Sequence, residues 1–334
     1  MSFRVERFTT ASRATAIVAC LVLVALVAAP WLTGRANIRL FGEMCSYIAL
    51  ASLWNLLAGY CGLVSVGQQA FVGLGGYVFF ALAVFLGIHP MVAIVLAGLI
   101  GAIVAVPVGT LLFRLHGAYF AIGSWVFAEV LRLSFAQVSA LGGGSGSSLP
   151  TSVLTGIART REWREIAVYW SGLALAVLAI LFVILMLRSK TGLALTGLRD
   201  SEIASESLGI NAWLTKVAVY VSVAGITTMI GSFIFLQKLR ISPDAAFSVN
   251  DWTAFVIFIA VIGGIGTIEG PIIGTLVFFL MRETLADLGT TYLLILGALA
   301  IAIMLKAPRG IWGVISETTG LSLVPIRRRI VFQK

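Results

Sequence analysis

The feature that most limits what this chain can fold into is a succession of apolar runs, each reaching or approaching the ~20 residues that a helix needs to cross a bilayer. They lie near residues 16–32, 40–58, 64–86, 91–113, 119–135, 166–187, 214–236, 252–268, 272–284 and 292–305. The runs are rich in Gly, Leu, Val and Ile and lack the strict alternation of a lipid-facing barrel strand, so helices are the spanning elements. Hydrophobic residues make up 60% of the chain and charged residues 11%, against roughly 25% charged in a soluble domain. The expectation is an all-α integral membrane protein, a polytopic bundle of about ten transmembrane helices.

Two of the runs are irregular. Residues 272–284 are too short to cross alone unless Gly270 and Pro271 also lie in the membrane. The stretch GLVSVGQQAFVGLGGY, beginning at Gly62, reads as a broken or re-entrant segment. The first run follows Arg4, Arg7 and Arg13 as a signal sequence would, but it outlasts a signal core and ends Ala-Ala-Pro-Trp-Leu rather than at an A-x-A-like site. It is read as a span.

The formal net charge of +9 forms no basic face interleaved with aromatics, so it does not point to nucleic acid. With ten crossings and a cytoplasmic N-terminus, the basic residues concentrate at the two ends (Arg4, Arg7, Arg13, Lys306, Arg309, Arg327, Arg328, Arg329, Lys334) and around Arg188, Lys190, Arg199 and Lys216. By the positive-inside bias, both termini and that loop are expected in the cytoplasm. The organisation that follows is a cytoplasmic tail over 1–15, a transmembrane domain over 16–313 with a cytoplasmic loop over 188–213, and a basic cytoplasmic tail over 314–334. The longer loops, 140–165 and 237–251, then fall outside.

No carrier of covalent or nucleotide chemistry is visible. Lys190-Thr191 lacks the preceding glycines of a phosphate-binding loop, the two histidines stand apart, and no nucleophile-elbow pattern occurs. Cys20, Cys45 and Cys61 lie in or beside apolar runs without metal-ligand or disulfide spacing. The chain reads as a conduit, not an enzyme.

The polar insert LRDSEIASESLG, Leu198 to Gly209, then stands out. Asp200 or Ser201 can cap a helix, Glu202 sits in the first turn, and Gly209 stops it. At ~100° per residue, Ile203, Ala204, Ser207 and Leu208 share an arc and Glu202 and Glu206 stack on another. Such a helix is either a solvated surface element or one that meets a partner. Within the membrane, the conspicuous polar pair is Gln68 and Gln69, flanked by Ser65, Gly67 and Gly73. They either join neighbouring helices or line a path. Glu129 and Arg132 can pair along one helix face.

LRDSEIASESLGIN is similar to the cytoplasmic coupling loop of bacterial ABC importer permeases, with Ile203, Ala204 and Ser205 in place of its E-A-A and Gly209 as its glycine. The longer match R-D-x-E-I-A-x-E-x-L-G-I-N resembles the branched-chain amino-acid permease family, LivM-type. GLVSVGQQAFVGLGGY resembles that family's early S-x-G-x-x-A-F-x-G-x-G-A-Y segment. GAYFAIGSWVFAEVLR, GGIGTIEGPIIG and KAPRGIWG are similar to its following span, its late glycine hinge (Gly263, Gly264, Gly266, Gly270, Pro271) and its C-terminal exit. In LGGGSGSSLP the family's T-G-G-[ST]-[ND]-G is altered, with Gly143, Gly144 and Ser145 kept. That run is either a flexible linker or a loop whose backbone amides approach the substrate.

The resemblance implies a permease subunit of an ATP-driven importer for branched-chain or related amino acids, in a bacterial plasma membrane. Arg199, Asp200, Glu202, Ile203, Ala204, Glu206, Leu208 and Gly209 would couple it to ATPases. Ser65, Gly67, Gln68, Gln69, Gly73, Gly143, Gly144 and Ser145 would line the substrate path. It further implies a sister permease subunit, two cytoplasmic ATPases holding ATP and Mg, and an extracytoplasmic binding protein, with no cofactor on this chain. A permease for urea or small amides, and a self-sufficient secondary transporter, are the competing readings.

Overall fold

A computed structural model describes residues 3–6, 10–285, 291–307, 309–319 and 329–332. The chain runs α1 (Thr10–Leu32), α2 (Arg35–Asn55, continued by a π-helical turn Leu56–Tyr60), α3 (Gln68–Val84), α4 (Pro90–Leu112) and α5 (Ala118–Ala136). After α6 (Thr151–Ile157) come α7 (Arg161–Arg188), α8 (Lys190–Asp200), α9 (Glu202–Ser207) and α10 (Ala212–Lys238). The last part comprises α11 (Pro243–Ala246), a π-helical turn Asn250–Ala254 leading into α12 (Phe255–Gly263), α13 (Gly270–Thr284), α14 (Thr291–Lys306) and α15 (Gly310–Thr319). Two short antiparallel pairs complete it: β1 (Phe3–Glu6) with β4 (Arg329–Phe332), and β2 (Ser147–Ser148) with β3 (Arg240–Ile241).

This is an all-α membrane architecture. Among the described residues, seven helical stretches are long and apolar enough to cross a bilayer, and Ile17–Leu32 and Gln68–Val84 are shorter apolar helices. The exposed apolar side chains of α1, α4, α5 and α14, such as Leu21, Ile103, Val130 and Leu294, are the surface a lipid-facing helix must present.

The long helix α10 is the centre of the bundle, packed against α3, α4, α2 and α7. In lipid, helices gain little from burying apolar surface and associate by close packing, so small residues at the crossings set the approach. A Cβ at Gly75 of α3 would overlap the Thr228 carbonyl of α10, one at Gly231 would overlap the Val72 carbonyl, and one at Gly101 of α4 would run into Thr228. Ser232 Oγ donates to the Gly75 carbonyl at 2.9 Å across the same crossing. The other stretches of α3 and α10 carry the largest fully buried side chains, among them Phe79, Phe80, Phe233 and Phe235.

Several expectations change. The segment over 64–86 is helical only from Gln68, and the span expected over 252–268 stops at Gly263, because Gly264 (φ 132°) and Gly266 (φ 77°) take conformations that side-chain-bearing residues rarely adopt. The α7 helix begins at Arg161, where Thr160 accepts a hydrogen bond from the Trp163 amide. The run LGGGSGSSLP is no free linker. Gly142, Gly143 and Gly146 hold positive φ, and Ser147-Ser148 pairs with Arg240-Ile241, so the two longer loops are stitched to each other.

Because the α3/α10 crossing has no room for a Cβ, Gly75→Val should force the two backbones apart at about 1–3 kcal/mol or more. The expected result is a lowered thermal midpoint or loss of the monodisperse species on size exclusion in detergent. An equal substitution at exposed Gly297, where nothing lies within 4 Å, should leave both unchanged.

Candidate functional site

The polar insert folds as two helices rather than one. Ser201 leaves the helical region (φ −161°) and ends α8. Its Oγ then accepts from the Ala204 amide at 3.3 Å, capping α9. At the far end, Gly209 sits at φ 85° with the Ile210 amide bonded back to the Ser205 carbonyl at 3.1 Å, a glycine-terminated helix end. Nothing lies within 4 Å of a Cβ at Gly209, so it is the backbone conformation, not crowding, that calls for glycine.

Two charged residues tie this loop to the bundle. Arg199 donates to the Gly59 carbonyl at 2.8 Å while pairing with Asp200 at 3.0 Å. Glu202 accepts from Lys216 of α10 at 2.6 Å. The two glutamates expected to act together are therefore divided: Glu202 faces inward, and Glu206 is exposed. Ile203 and Leu208 protrude, 81% and 84% exposed, and Ala204 is exposed beside them.

The anchor point of Arg199 leads directly to the glycine turn between α12 and α13. Gly59 lies in the π-helical end of α2, and a Cβ there would stand 2.6 Å from the Gly266 nitrogen and 2.7 Å from Asn55 Oδ1. Asn55 accepts from the Gly266 amide at 2.8 Å and donates to the Thr267 carbonyl at 2.7 Å. On the other side of that turn, Gly263, Gly264, Gly270, Gly274 and Gly310 press backbone on backbone, with Pro271 in the first turn of α13. The loop over 188–213 and the glycine hinge, far apart in sequence, thus meet through Gly59 and Asn55. Cys61 and Gly62 lie next to this contact; burial pushes the Cys61 thiol up to about 12, and the Arg199 side chain covers Gly62.

Deeper in the bundle, Leu63 to Gly67 form a non-helical break before α3. Trp54 Nε1 donates to the Ser65 carbonyl at 2.8 Å, the Val66 amide donates to Ser124 Oγ at 3.0 Å, and a Cβ at Gly67 would overlap the Ser124 carbonyl. Gln68 donates to the Leu50 carbonyl at 3.0 Å, and Gln69 bonds with Thr253. Each amide is therefore partly interhelical glue. Yet Gln68 Oε1 and Gln69 Nε2 are buried with no hydrogen-bond partner, as are Thr227 Oγ1 and Tyr77 Oη. Gln68 and Thr227 line one small cavity of about 20 Å³ with Trp54 and Tyr220. Gly73 makes room for the Phe247 ring, which stacks with Tyr77 and Phe135; Tyr77 and Phe135 have centroids 4.4 Å apart.

Ser65, Gly67, Gln68, Gln69 and Gly73 come together in this way. Gly143, Gly144 and Ser145 do not join them. They lie in the loop of the β2 to β3 pair, where the Ser145 carbonyl accepts from Arg240 at 3.3 Å. Glu129 and Arg132 pair at 2.6 Å as the spacing predicts, and Arg132 also reaches Asp244 at 2.6 Å. Sequence reasoning passed over Asn55, Thr253 and the ion pair Glu43 to Arg282 at 2.7 Å. A polar residue beside Trp54 in an otherwise apolar run was the available signal for Asn55. The described residues hold no group of three or more His, Cys, Asp or Glu able to bind a metal.

The family model described as "Branched-chain amino acid transport system / permease component" matches residues 39–304. The chain belongs to this family. The high-affinity branched-chain amino acid transport system permease protein LivM of Salmonella typhimurium is 28% identical over 312 residues, covering 87% of this chain and 73% of the relative. The Escherichia coli LivM protein matches to the same extent. A probable branched-chain amino acid transport permease protein LivM of Methanocaldococcus jannaschii is 24% identical over 260 residues, 72% of this chain and 74% of that one. No solved structure matches. The match spans the broken segment before α3, the α8 to α9 loop and the glycine turn, so this LivM-type permease carries all three within its family region.

Removing the Asn55 side-chain amide leaves the Gly266 amide and the Thr267 carbonyl without their partner, at about 1–3 kcal/mol each. Asn55→Ala should therefore lower the unfolding midpoint in detergent markedly, and Asn55→Gln should not restore it. In a Cys20→Ala, Cys45→Ala background, Cys61 should resist maleimide at pH 7, and Arg199→Ala should speed its labelling severalfold by uncovering the joint.

Proposed function

We propose that this protein is the transmembrane subunit of an ATP-driven importer of branched-chain or related amino acids, coupled to its ATPases through α9. Membership of a family of transport-system permease components is the ground for the transport reading. The single observation that carries the coupling assignment is α9 itself: a capped helix anchored by Arg199 and Glu202, yet presenting Ile203 and Leu208 almost fully to solvent. The chain has no phosphate-binding loop, so in an ATP-driven importer the energy would come from partner subunits. ATP and Mg belong to those ATPases, with none on this chain.

In this reading the bundle makes ten crossings: the seven long helical stretches, α1, the non-helical break with α3, and α13. An even number places both ends on one side, in keeping with the β1 to β4 pairing. That side is the cytoplasm, which the basic residues of both ends and of the α8 to α9 loop favour. An extracytoplasmic binding protein docks on the stitched loops of β2 and β3, and a sister permease completes the membrane domain. The half-satisfied amides of Gln68 and Gln69, with Thr227 and Tyr77, offer hydrogen bonds to a passing polar group, since buried polar atoms in lipid need partners. The Tyr77, Phe135 and Phe247 rings close the way between those amides and the outer loops.

ATPase closure would push on α9 and pass through Arg199 and Gly59 to the glycine turn. Coupling of this kind requires that the partner contact α9 differently in its two states. In reconstituted complex, Ile203→Asp with Leu208→Asp should reduce uptake of radiolabelled leucine at least tenfold while the chain still inserts. Because Glu202 is held by Lys216, Glu202→Lys should also impair uptake, and the exchange Glu202→Lys with Lys216→Glu should recover most of it, whereas Glu206→Lys alone should act without rescue. Normal uptake in the double aspartate variant would overturn the coupling assignment, and ATP-independent uptake by this chain alone would favour a secondary carrier.

A further inference from the structure

A second cavity lies far from α9, at the ends of α2, α7 and α10 beneath α6. Its volume is about 240 Å³. Three arginines, Arg39, Arg161 and Arg164, line it against a single acidic residue, Glu165. Glu165 bridges Arg161 at 3.0 Å and Arg39 at 3.5 Å, with its own side chain only 18% exposed. The lining therefore keeps two positive charges in excess, and it sits at the N-terminal ends of α2 and α7, where helix dipoles also favour an anion.

Apart from Gln237 and Tyr169, the remaining wall is apolar, made by Ile38, Leu154, Val168, Leu236 and Leu239. A lone phosphate or carboxylate would meet the arginines and leave that wall facing water, whereas an amphiphile covers both. The level is set by aromatic residues. Trp31 and Trp170 meet in a tilted ring contact with centroids 5.6 Å apart at this end of the bundle, Trp170 donates to the Val27 carbonyl, and exposed Trp163 lies on the turn that carries Arg161 and Arg164. Tryptophans of this kind mark the headgroup region of a bilayer. Arginine is suited to phosphate through its planar fork of donors.

We infer that this cavity is a binding site for an anionic membrane phospholipid, its phosphate held by Arg161, Arg164 and Arg39 and its first methylenes laid on the leucine wall. The site is independent of the coupling assignment, because it involves none of the residues of α8, α9 or the glycine turn. Occupied, it joins α2, α7 and α10 at the end opposite α9, which makes lipid composition a factor in the packing of the central helix.

The test is native mass spectrometry of the delipidated, intact transporter complex titrated with phosphatidylglycerol or phosphatidylcholine. One phosphatidylglycerol should bind more tightly than phosphatidylcholine and survive an equal concentration of inorganic phosphate. Arg161→Ala with Arg164→Ala should weaken it at least tenfold. Leu154→Trp, which fills the apolar wall and leaves every charge in place, should weaken it similarly, so the test does not rest on the arginine variant folding. Arg240→Ala, in the neighbouring loop, should change nothing. Displacement by phosphate alone would make this a free-anion site. Equal binding of both lipids, retention in Leu154→Trp, or an equal loss in Arg240→Ala would overturn the proposal. So would loss of binding-protein association in the arginine variants with phosphatidylglycerol retained.

Discussion

Backbone amides and carbonyls inside a bilayer have no water to turn to, and the rest of this structure follows from how that demand is met wherever a helix is interrupted. The break before α3 is held by the Trp54 indole and the Ser124 hydroxyl. The turn between α12 and α13 is held by both halves of the Asn55 amide. Each interruption is thus tied to a neighbouring helix at a named side chain, and each contains glycines of this chain, Gly67 in the first and Gly264 and Gly266 in the second. Irregular backbone at membrane depth is tolerated only when buried in protein or lining a cavity, and here both conditions recur around Gln68.

The same economy gives the α8 to α9 loop a mechanical route inward. Arg199 uses a backbone carbonyl of α2 as its anchor, and that carbonyl belongs to Gly59, whose missing Cβ admits Gly266 of the following turn. Packed backbones of this kind shift between discrete arrangements rather than bending continuously. A push on α9 in the proposed reading would therefore reach α12 and α13 without crossing the lipid-facing helices, while the dense α3/α10 crossing serves as the part that does not yield.

Much of this was legible in the sequence because membrane helices advertise themselves by composition. The helix cap at Ser201 and the stop at Gly209 follow from local chemistry, as does the Glu129 to Arg132 pair. What could not be read were partnerships between distant residues. Nothing in EIASES says that Glu202 is claimed by Lys216 while Glu206 is left outward, and a helical wheel puts both on one edge. The Gly/Ser run leaves linker and ordered loop both open in the sequence, because its order comes from pairing with Arg240 and Ile241, almost a hundred positions away. Asn55 went unnoticed for the same reason: its value lies in the Gly266 and Thr267 backbone groups it serves.

The central claim is that α9 is the surface on which the ATPases act. A photo-crosslinking residue introduced at Leu208 of the fully assembled transporter tests it most directly, read with and without trapped nucleotide. The account predicts a covalent adduct with an ATPase subunit whose yield changes between the two states. An assembled, transport-active complex in which Leu208 crosslinks to lipid or to nothing, in both states, would contradict it.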